Sequence, residues 1–577
     1  MLRPEYPRPQ MVRPSWKNLN GEWEMLFDFG KSGHERELYL FDKIKKERLT
    51  KINVPFCPES RLSGIGYTDF IPALWYVQDF ELGEAECAGR VLIHFGAVDY
   101  RSQLWVNDRP AGTHVGGYSS FTYDITELVS VGRNVLTLYA EDDTRSGRQP
   151  AGKQSKKYYS HACSYTRTTG IWQTVWLEFV PKEYIVSYRV YPDVECSSLR
   201  VEVFANASAG SEVALSAKYD GRIVGTASAR VWGGHAQATV ALDELHLWNV
   251  GEPELYDLTI EMGEDRVEGY FGMRKVDVRA DALYLNDRPL FMRTILDQGF
   301  NPEGIYTAPD DDFLRRDIEL SQELGFNGAR LHQRVFEERT LYWADKLGYI
   351  VWGEYANDNI QCDSRGIGDF IGEWTEVLER DFNHPALIGW VINNESYWQT
   401  DVDPVCQTTI YNITKKLDTT RPVIDASGGI HFVSDMFDIH DYEQDPAKLA
   451  ASLQRMIDEK GYFHNPLHNQ QLSRNVYLGQ PYWISEYGGI LWGDDGWGYG
   501  QSVRSVEEFA DRYVGLTKAL LDCPINCGFC YTQLTDVEQE QNGLYKYDRS
   551  RKFPDEIYER IRAANLLPAA IEKTENK

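Results

Sequence analysis

Two glutamates stand at the ends of hydrophobic runs far apart in the chain: Glu395 in GWVINNESYW and Glu486 in PYWISEYGG. Each run is rich in β-branched and aromatic residues, which reads as a buried strand, and each breaks off in polar residues with a carboxylate at the tip. Two carboxyl groups about 5–5.5 Å apart can flank a glycosidic bond, one protonating the leaving oxygen while the other attacks the anomeric carbon. At that separation like charges oppose each other, so the geometry itself keeps one carboxyl protonated. Neighbouring donors decide which one stays charged. Asn394 can reach a sugar hydroxyl, and Tyr442, at the end of MFDIHDY, can donate to the attacking carboxylate. Trp398, Trp483 and Trp492 offer apolar ring faces for a sugar. A lone strand-end glutamate is ordinarily a cap or an ion-pair partner. Two together, one preceded by Asn-Asn and one followed by Tyr-Gly-Gly, point to catalysis.

Two strand tips can meet if both belong to one barrel. After Leu283 short apolar runs alternate with amphipathic stretches, the pattern of βα units. Eight candidate strands follow: LFMRTILD, FNGARLH, YIVWGEY, LIGWVINN, RPVIDAS, MFDIHDY, PYWISEY and CGFCYTQL. They predict a (β/α)8 TIM barrel over residues 279–577, with chemistry at the C-terminal strand ends. Glu395 and Glu486 fall at such ends, as do His332, Glu354, Asp425, Tyr442 and Tyr531. The stretch DDDFLRRDIELSQELGF reads as a helix with acidic residues at its start. Upstream the texture is β throughout. Residues 1–181 read as a jelly-roll β-sandwich, from runs such as RVLIHFGAVDY and NVLTLYAEDD. Residues 182–278 read as an immunoglobulin-like β-sandwich, in which Asp220-Gly221 is a hairpin turn.

The bulk properties narrow the partners. A net charge of −27 argues against nucleic acid and against anionic membrane surfaces. It leaves room for a small anionic substrate held by one or two local cations. Aromatic residues at 13% suit both sugar stacking and large sandwich cores. The opening MLRPEYPRPQ has no apolar core of a signal peptide, and no run of eighteen apolar residues occurs, so a cytoplasmic protein without a membrane partner is expected. Nine cysteines mostly sit in apolar segments; Cys523, Cys527 and Cys530 lack a fourth ligand and read as reduced, buried thiols. No metal and no cofactor is expected. Aromatic-rich sandwich surfaces often self-associate, which leaves a homo-oligomer open.

Nearly the whole chain resembles glycoside hydrolase family 2, the group of β-galactosidases, β-glucuronidases and β-mannosidases. NGEWEMLFD, VPFCPES, GAVDYRSQLWVND, GGYSSFTYDIT and TGIWQTVWLE resemble its sugar-binding jelly roll; LWNVGEPELYDLTI and YFGMRKV resemble the end of its immunoglobulin-like domain. WVINNES and WISEYGG resemble its two catalytic signatures. The resemblance implies Glu395 as general acid/base and Glu486 as nucleophile, with support from Asn394, Tyr442 and Tyr531, the last at a position that is usually Trp. RLHQR resembles the second-strand region, with Arg330 and either His332 or Gln333 facing the sugar. Two departures concern the substrate. Ser164 stands where the galactosidase and glucuronidase branches carry an Asp, and the Asn-x-Lys pair that grips glucuronate is absent: VEQEQNGL offers Glu540, Gln541 and Asn542 but no Lys. Arg330 and Arg334 keep a uronate in play, although Arg330 orienting a catalytic carboxylate and Arg334 lying at the surface is the plainer arrangement.

These readings converge on a retaining exo-β-glycosidase acting on a terminal sugar of a small glycoside or oligosaccharide. A β-galactosidase-type activity stands first because it needs no anion-binding group, and a β-uronidase second. A non-catalytic carbohydrate-binding protein is the rival from another class; such proteins usually lose a carboxylate, and this chain keeps both.

Overall fold

The computed structural model describes residues 2–280, 282–358, 360, 363, 366–396, 403–459, 477, 479–493 and 496–573. The first unit is an antiparallel sandwich. Its six-stranded sheet runs in the order 50–54, 21–27, 73–82, 132–141, 101–106 and 109–115. A four-stranded sheet of 16–18, 175–180, 90–95 and 121–124 faces it. Trp23, Tyr76, Ile93, Phe95, Leu104, Leu136, Leu138 and Leu177 fill the core between them. The second unit packs a sheet of 184–193, 198–206 and 235–241 on one of 222–230, 212–219, 256–262 and 265–271. Asp220 and Gly221 take φ of 48° and 74° at its hairpin, the left-handed pair that a tight two-residue turn requires.

The eight runs predicted as barrel strands are all strands of one parallel sheet: β1 (Met292–Asp297), β2 (Gly328–Leu331), β3 (Ile350–Glu354), β4 (Leu387–Asn394), β5 (Val423–Ser427), β6 (Phe437–Asp441), β7 (Tyr482–Gly488) and β8 (Asn526–Thr532). Nearly every strand position is buried, as expected when helices cover the outside and side chains fill the inside. Helices follow every strand but β5 among the described residues. The first, α1 (Asp311–Glu323), is capped by the Asp310 side chain accepting from the Phe313 amide, with Asp311 and Asp312 in its first turn.

The backbone ladder is open between β5 and β6. Side chains bridge the gap there. Ser427 Oγ donates to Asp438 Oδ2 at 2.7 Å, the Gly428 amide donates to the same oxygen at 3.1 Å, and the Ser485 hydroxyl reaches it from β7. This lock matters because His440 lies on β6 and Tyr442 just beyond its end. The eight described cysteines are all free, with Cys523, Cys527 and Cys530 buried. No described helix is long and apolar enough to cross a membrane.

Candidate active site

Arg330, wholly buried on β2, organises the barrel mouth. Its Nη1 donates to Glu486 Oε1 and to the Ser485 carbonyl, both at 2.9 Å. Its Nη2 donates to Glu354 Oε2 at 2.8 Å and to Asn394 Oδ1 at 3.0 Å. One planar cation therefore ties together the ends of β3, β4 and β7, which a flexible ammonium would do far less rigidly. Burial works to raise the Glu354 carboxyl, but Arg330 and His332 outweigh it and leave it at about 2. His332 itself is pushed down by burial, against the upward pull of Glu354 and Glu486.

The second oxygen of Glu486 accepts from the Tyr442 hydroxyl. Burial, and then the charge of Glu486, drive that phenol well above its ordinary range, so it remains a donor. The Tyr442 ring stacks on Tyr499 at 3.5 Å between centroids. His440 Nδ1 lies 2.7 Å from Glu395 Oε1 and 3.4 Å from Glu486 Oε2. One oxygen of each glutamate and this ring nitrogen fall within 4.8 Å of one another. The two carboxylates differ in access: the Glu486 side chain is 4% exposed and that of Glu395 28%. Glu395 sits at φ 44°, just past the end of β4, with its amide bonded to the Ser427 carbonyl at 2.9 Å. Left-handed backbone at a non-glycine residue costs of order 1–3 kcal/mol and gathers at functional sites. On geometry alone these three side chains could share a metal ion. An ion there would occupy both carboxylates and leave neither to carry a proton.

Asn394 is buried beside Glu395; its Oδ1 is held by Arg330, and its Nδ2 has no partner among the described residues. Gln333, at φ 44°, is buried at the end of β2 and contacts Asn357 at 3.5 Å. Arg330, His332, Gln333, Asn394, Glu395, Tyr442 and Glu486 are thus brought to one mouth.

Other expected residues lie elsewhere. Trp483 is wholly buried inside the barrel, its ring 5.1 Å from Trp352 on the opposite strand β3, so no face is open to a sugar. Tyr531 packs at 4.9 Å on Tyr513 of the helix after β7, on the outer face of β8. Strand alternation is the reason: Thr532, the next residue, faces inward and contacts the Tyr442 hydroxyl at 3.3 Å. Arg334 is buried, not at the surface, and its guanidinium donates to the carbonyls of Gly299 and Tyr306. Asp425 accepts from His431 and from the amides of Phe432 and Val433, which makes it a loop anchor. Ser164 offers its carbonyl to Gln539 at 3.1 Å. Trp398 lies outside the described residues.

The sequence reading missed His440, which bridges the two glutamates. Buried Glu540 accepts from the Tyr165 hydroxyl of the sandwich and from Asn542. Burial raises it to about 7, against the opposing effects of Lys153, Tyr165 and Asn542. For His440 the signal was present, in the same MFDIHDY segment that drew attention to Tyr442.

An eight-stranded parallel near-barrel with a paired carboxylate at its C-terminal mouth defines the class of the glycoside hydrolases. Three domain families match the chain: the "Glycosyl hydrolases family 2, sugar binding domain" at residues 63–147, "Glycosyl hydrolases family 2" at 183–274, and the "Glycosyl hydrolases family 2, TIM barrel domain" at 276–497. The chain belongs to glycoside hydrolase family 2. A β-galactosidase of Pseudoalteromonas haloplanktis is 24% identical over 72% of this chain and 42% of its own length. One from Thermoanaerobacterium thermosulfurigenes is 24% identical over 70% of this chain and 55% of its own. The chain therefore spans about half the length of these relatives. A solved β-glucuronidase of an uncultured Clostridium superposes with a TM-score of 0.78 at 20% identity, covering 96% of this chain and 99% of that one. The Ruminococcus gnavus β-glucuronidase bound to D-glucuronic acid gives 0.78 at 16% identity, over 97% and 100%.

Proposed function

We propose that the chain is a retaining exo-β-glycosidase that releases one terminal sugar from a small glycoside or oligosaccharide. The observation that carries this reading is the approach of two carboxylates to within 4.8 Å, in unlike surroundings. Glu486, shielded and held at one oxygen by Arg330 and at the other by Tyr442, suits the nucleophile. Glu395, more open, suits the group that must meet both the leaving aglycone and the incoming water. In the first step Glu395 protonates the glycosidic oxygen as Glu486 bonds to the anomeric carbon and the aglycone departs. In the second, the Glu395 carboxylate takes a proton from water. The water oxygen bonds to that carbon, the ester breaks, and the sugar leaves with its configuration retained. Arg330 and Tyr442 bond more strongly to the re-forming carboxylate than to the ester, which favours the second step. The free amide nitrogen of Asn394 is placed to donate to a sugar hydroxyl beside the anomeric carbon.

Unit boundaries at 1–181, 182–278 and 279–577 go with this reading: the first unit lies over the mouth and favours a pocket over an open groove. The named relatives divide between β-galactosidase and β-glucuronidase. A galactoside asks nothing further of the pocket, whereas a uronide needs a cation.

Aryl β-glycosides of galactose, glucose, mannose, glucuronate and galacturonate test the proposal. The wild-type chain should cleave at least one, with the β-anomer appearing first by NMR. Glu486→Gln should abolish turnover. Glu395→Gln should slow a poor leaving group by roughly 10²–10⁴-fold and an activated one far less. Inversion, or equal rates for all three proteins, would refute it.

A further inference from the structure

The rings expected to face the sugar are turned away from it. Trp483 lies inside the barrel, Trp492 packs on the barrel core, and Tyr531 points to the helix layer. The inward residue at the end of β8 is the small Thr532, its hydroxyl 3.3 Å from that of Tyr442. Pockets for small molecules pair a few polar groups with aromatic or apolar walls, and a pyranose held by its hydroxyls alone gains little over water. The connection after β7 supplies a wall.

Three rings follow one another outward from Glu486. Tyr442 gives that carboxylate its hydroxyl. Tyr499 lies flat on the Tyr442 ring, with centroids 3.5 Å apart and planes within 3°. Trp497 stands edge-on to Tyr499 at 5.0 Å. The backbone makes room for them. A Cβ on Gly489, the second glycine of SEYGG, would come 2.3 Å from the Tyr499 ring and 3.2 Å from that of Tyr442. The segment is fastened on two sides. The Tyr499 amide donates to the Gly489 carbonyl at 2.9 Å, and the Trp497 amide donates to the Gln539 carbonyl at 2.7 Å. The Trp497 carbonyl in turn accepts from the Gln541 amide at 2.9 Å, so the loop after β8 holds what the loop after β7 presents. Both rings are half-buried. Neither the Trp497 indole N–H nor the Tyr499 hydroxyl is enclosed or hydrogen-bonded among the described residues. Burial, and then the charges of Glu395 and Glu486, keep the Tyr499 phenol well above its ordinary range, so it remains a donor.

We propose that Trp497 and Tyr499 form the wall against which the terminal sugar lies, Trp497 meeting its C–H groups and Tyr499 donating to one of its hydroxyls. The inference rests on the retaining-glycosidase reading and names groups that hold its sugar. The anomeric carbon must reach Glu486, and the row of rings begins at that carboxylate. Glu395, which must meet the leaving group, comes from β4, whereas the wall is built beyond β6, β7 and β8. The sugar therefore touches the wall and the leaving group does not. Because the rings are fastened before anything binds, little ordering cost is added on binding.

The test uses the aryl β-glycoside that the wild type cleaves best, with a good and a poor leaving group, and inhibition by the free sugar it releases. Trp497→Ala should weaken the free sugar about tenfold and lower kcat/KM by a similar factor, mainly through KM, as expected for a lost ring contact. The loss should be the same for both leaving groups, and Trp497→Phe should recover part of it. Tyr499→Phe keeps the stack on Tyr442 and should weaken the free sugar about fivefold, the worth of one neutral hydrogen bond. Free-sugar inhibition unchanged in both Trp497→Ala and Tyr499→Phe would overturn the proposal, even if kcat fell, since the rings would then only support Tyr442. A loss that differs between the two leaving groups would place the wall against the aglycone and overturn it too; the glycosidase reading would survive either result. A wild type that cleaves none of the glycosides, like Glu486→Gln, would sink that reading and this inference with it.

Discussion

Tyr442→Phe isolates one hydrogen bond on the carboxylate assigned as nucleophile. The ring keeps its stack on Tyr499, and Arg330 keeps its bond to the other oxygen of Glu486. What goes is the phenolic donor to Glu486 Oε2 and its weaker contact with Thr532. A hydrogen bond to a charged group contributes about 1.5–3 kcal/mol, which corresponds to roughly 10–150-fold in rate if it is made fully in the transition state. The two steps should not suffer alike. When the glycosyl ester breaks, charge returns to Glu486, so the missing donor is felt most in deglycosylation. With a dinitrophenyl glycoside of the preferred sugar, kcat should fall 10-fold or more, KM should fall with it, and stopped-flow traces should show a phenolate burst near one per site. Thermal unfolding should be nearly unchanged. A variant with kcat within twofold of wild type and no burst would refute the role given to Tyr442.

Two further outcomes follow from the mouth. Glu354 is held at about 2, below the ordinary 4.5, so its contribution to stability is complete above about pH 4.5 and is lost as pH falls through about 2. That contribution is about 3 kcal/mol; the stability gap between wild type and Glu354→Gln, from urea unfolding of the barrel, should shrink between pH 5 and 2, and a gap independent of pH would contradict the ion pair with Arg330. Gly152→Ala would push a methyl against the Gln333 carbonyl at a left-handed position, so the sandwich loop should lift. Activity should drop at least tenfold and limited proteolysis within 143–169 should speed up; an unchanged digestion pattern would show that the loop does not need this contact.

The barrel was legible because buried parallel strands are written as unbroken apolar runs with a polar break at the active end. LIGWVINN and PYWISEY each carry that break at the residues that converge. Facing is harder to read than existence. Tyr531 and Thr532 differ by one position, and in a strand that is the difference between the helix layer and the pocket. Trp483 lies too deep along β7 to reach the mouth, which no local pattern reveals. The place of the sandwich loop at the mouth was invisible for another reason: the Asp358 and Ala356 carbonyls that its Ala151 and Gly152 amides meet are more than two hundred residues away in sequence, and the loop has no periodicity.

Because the loop bonded to the residues just past β3 belongs to the sandwich and the acid pair to the barrel, one wall of the mouth and the paired carboxylates are encoded in separate stretches of chain. Grafting a different span between Glu141 and Gly170 could then retarget the enzyme while its reaction machinery stays untouched.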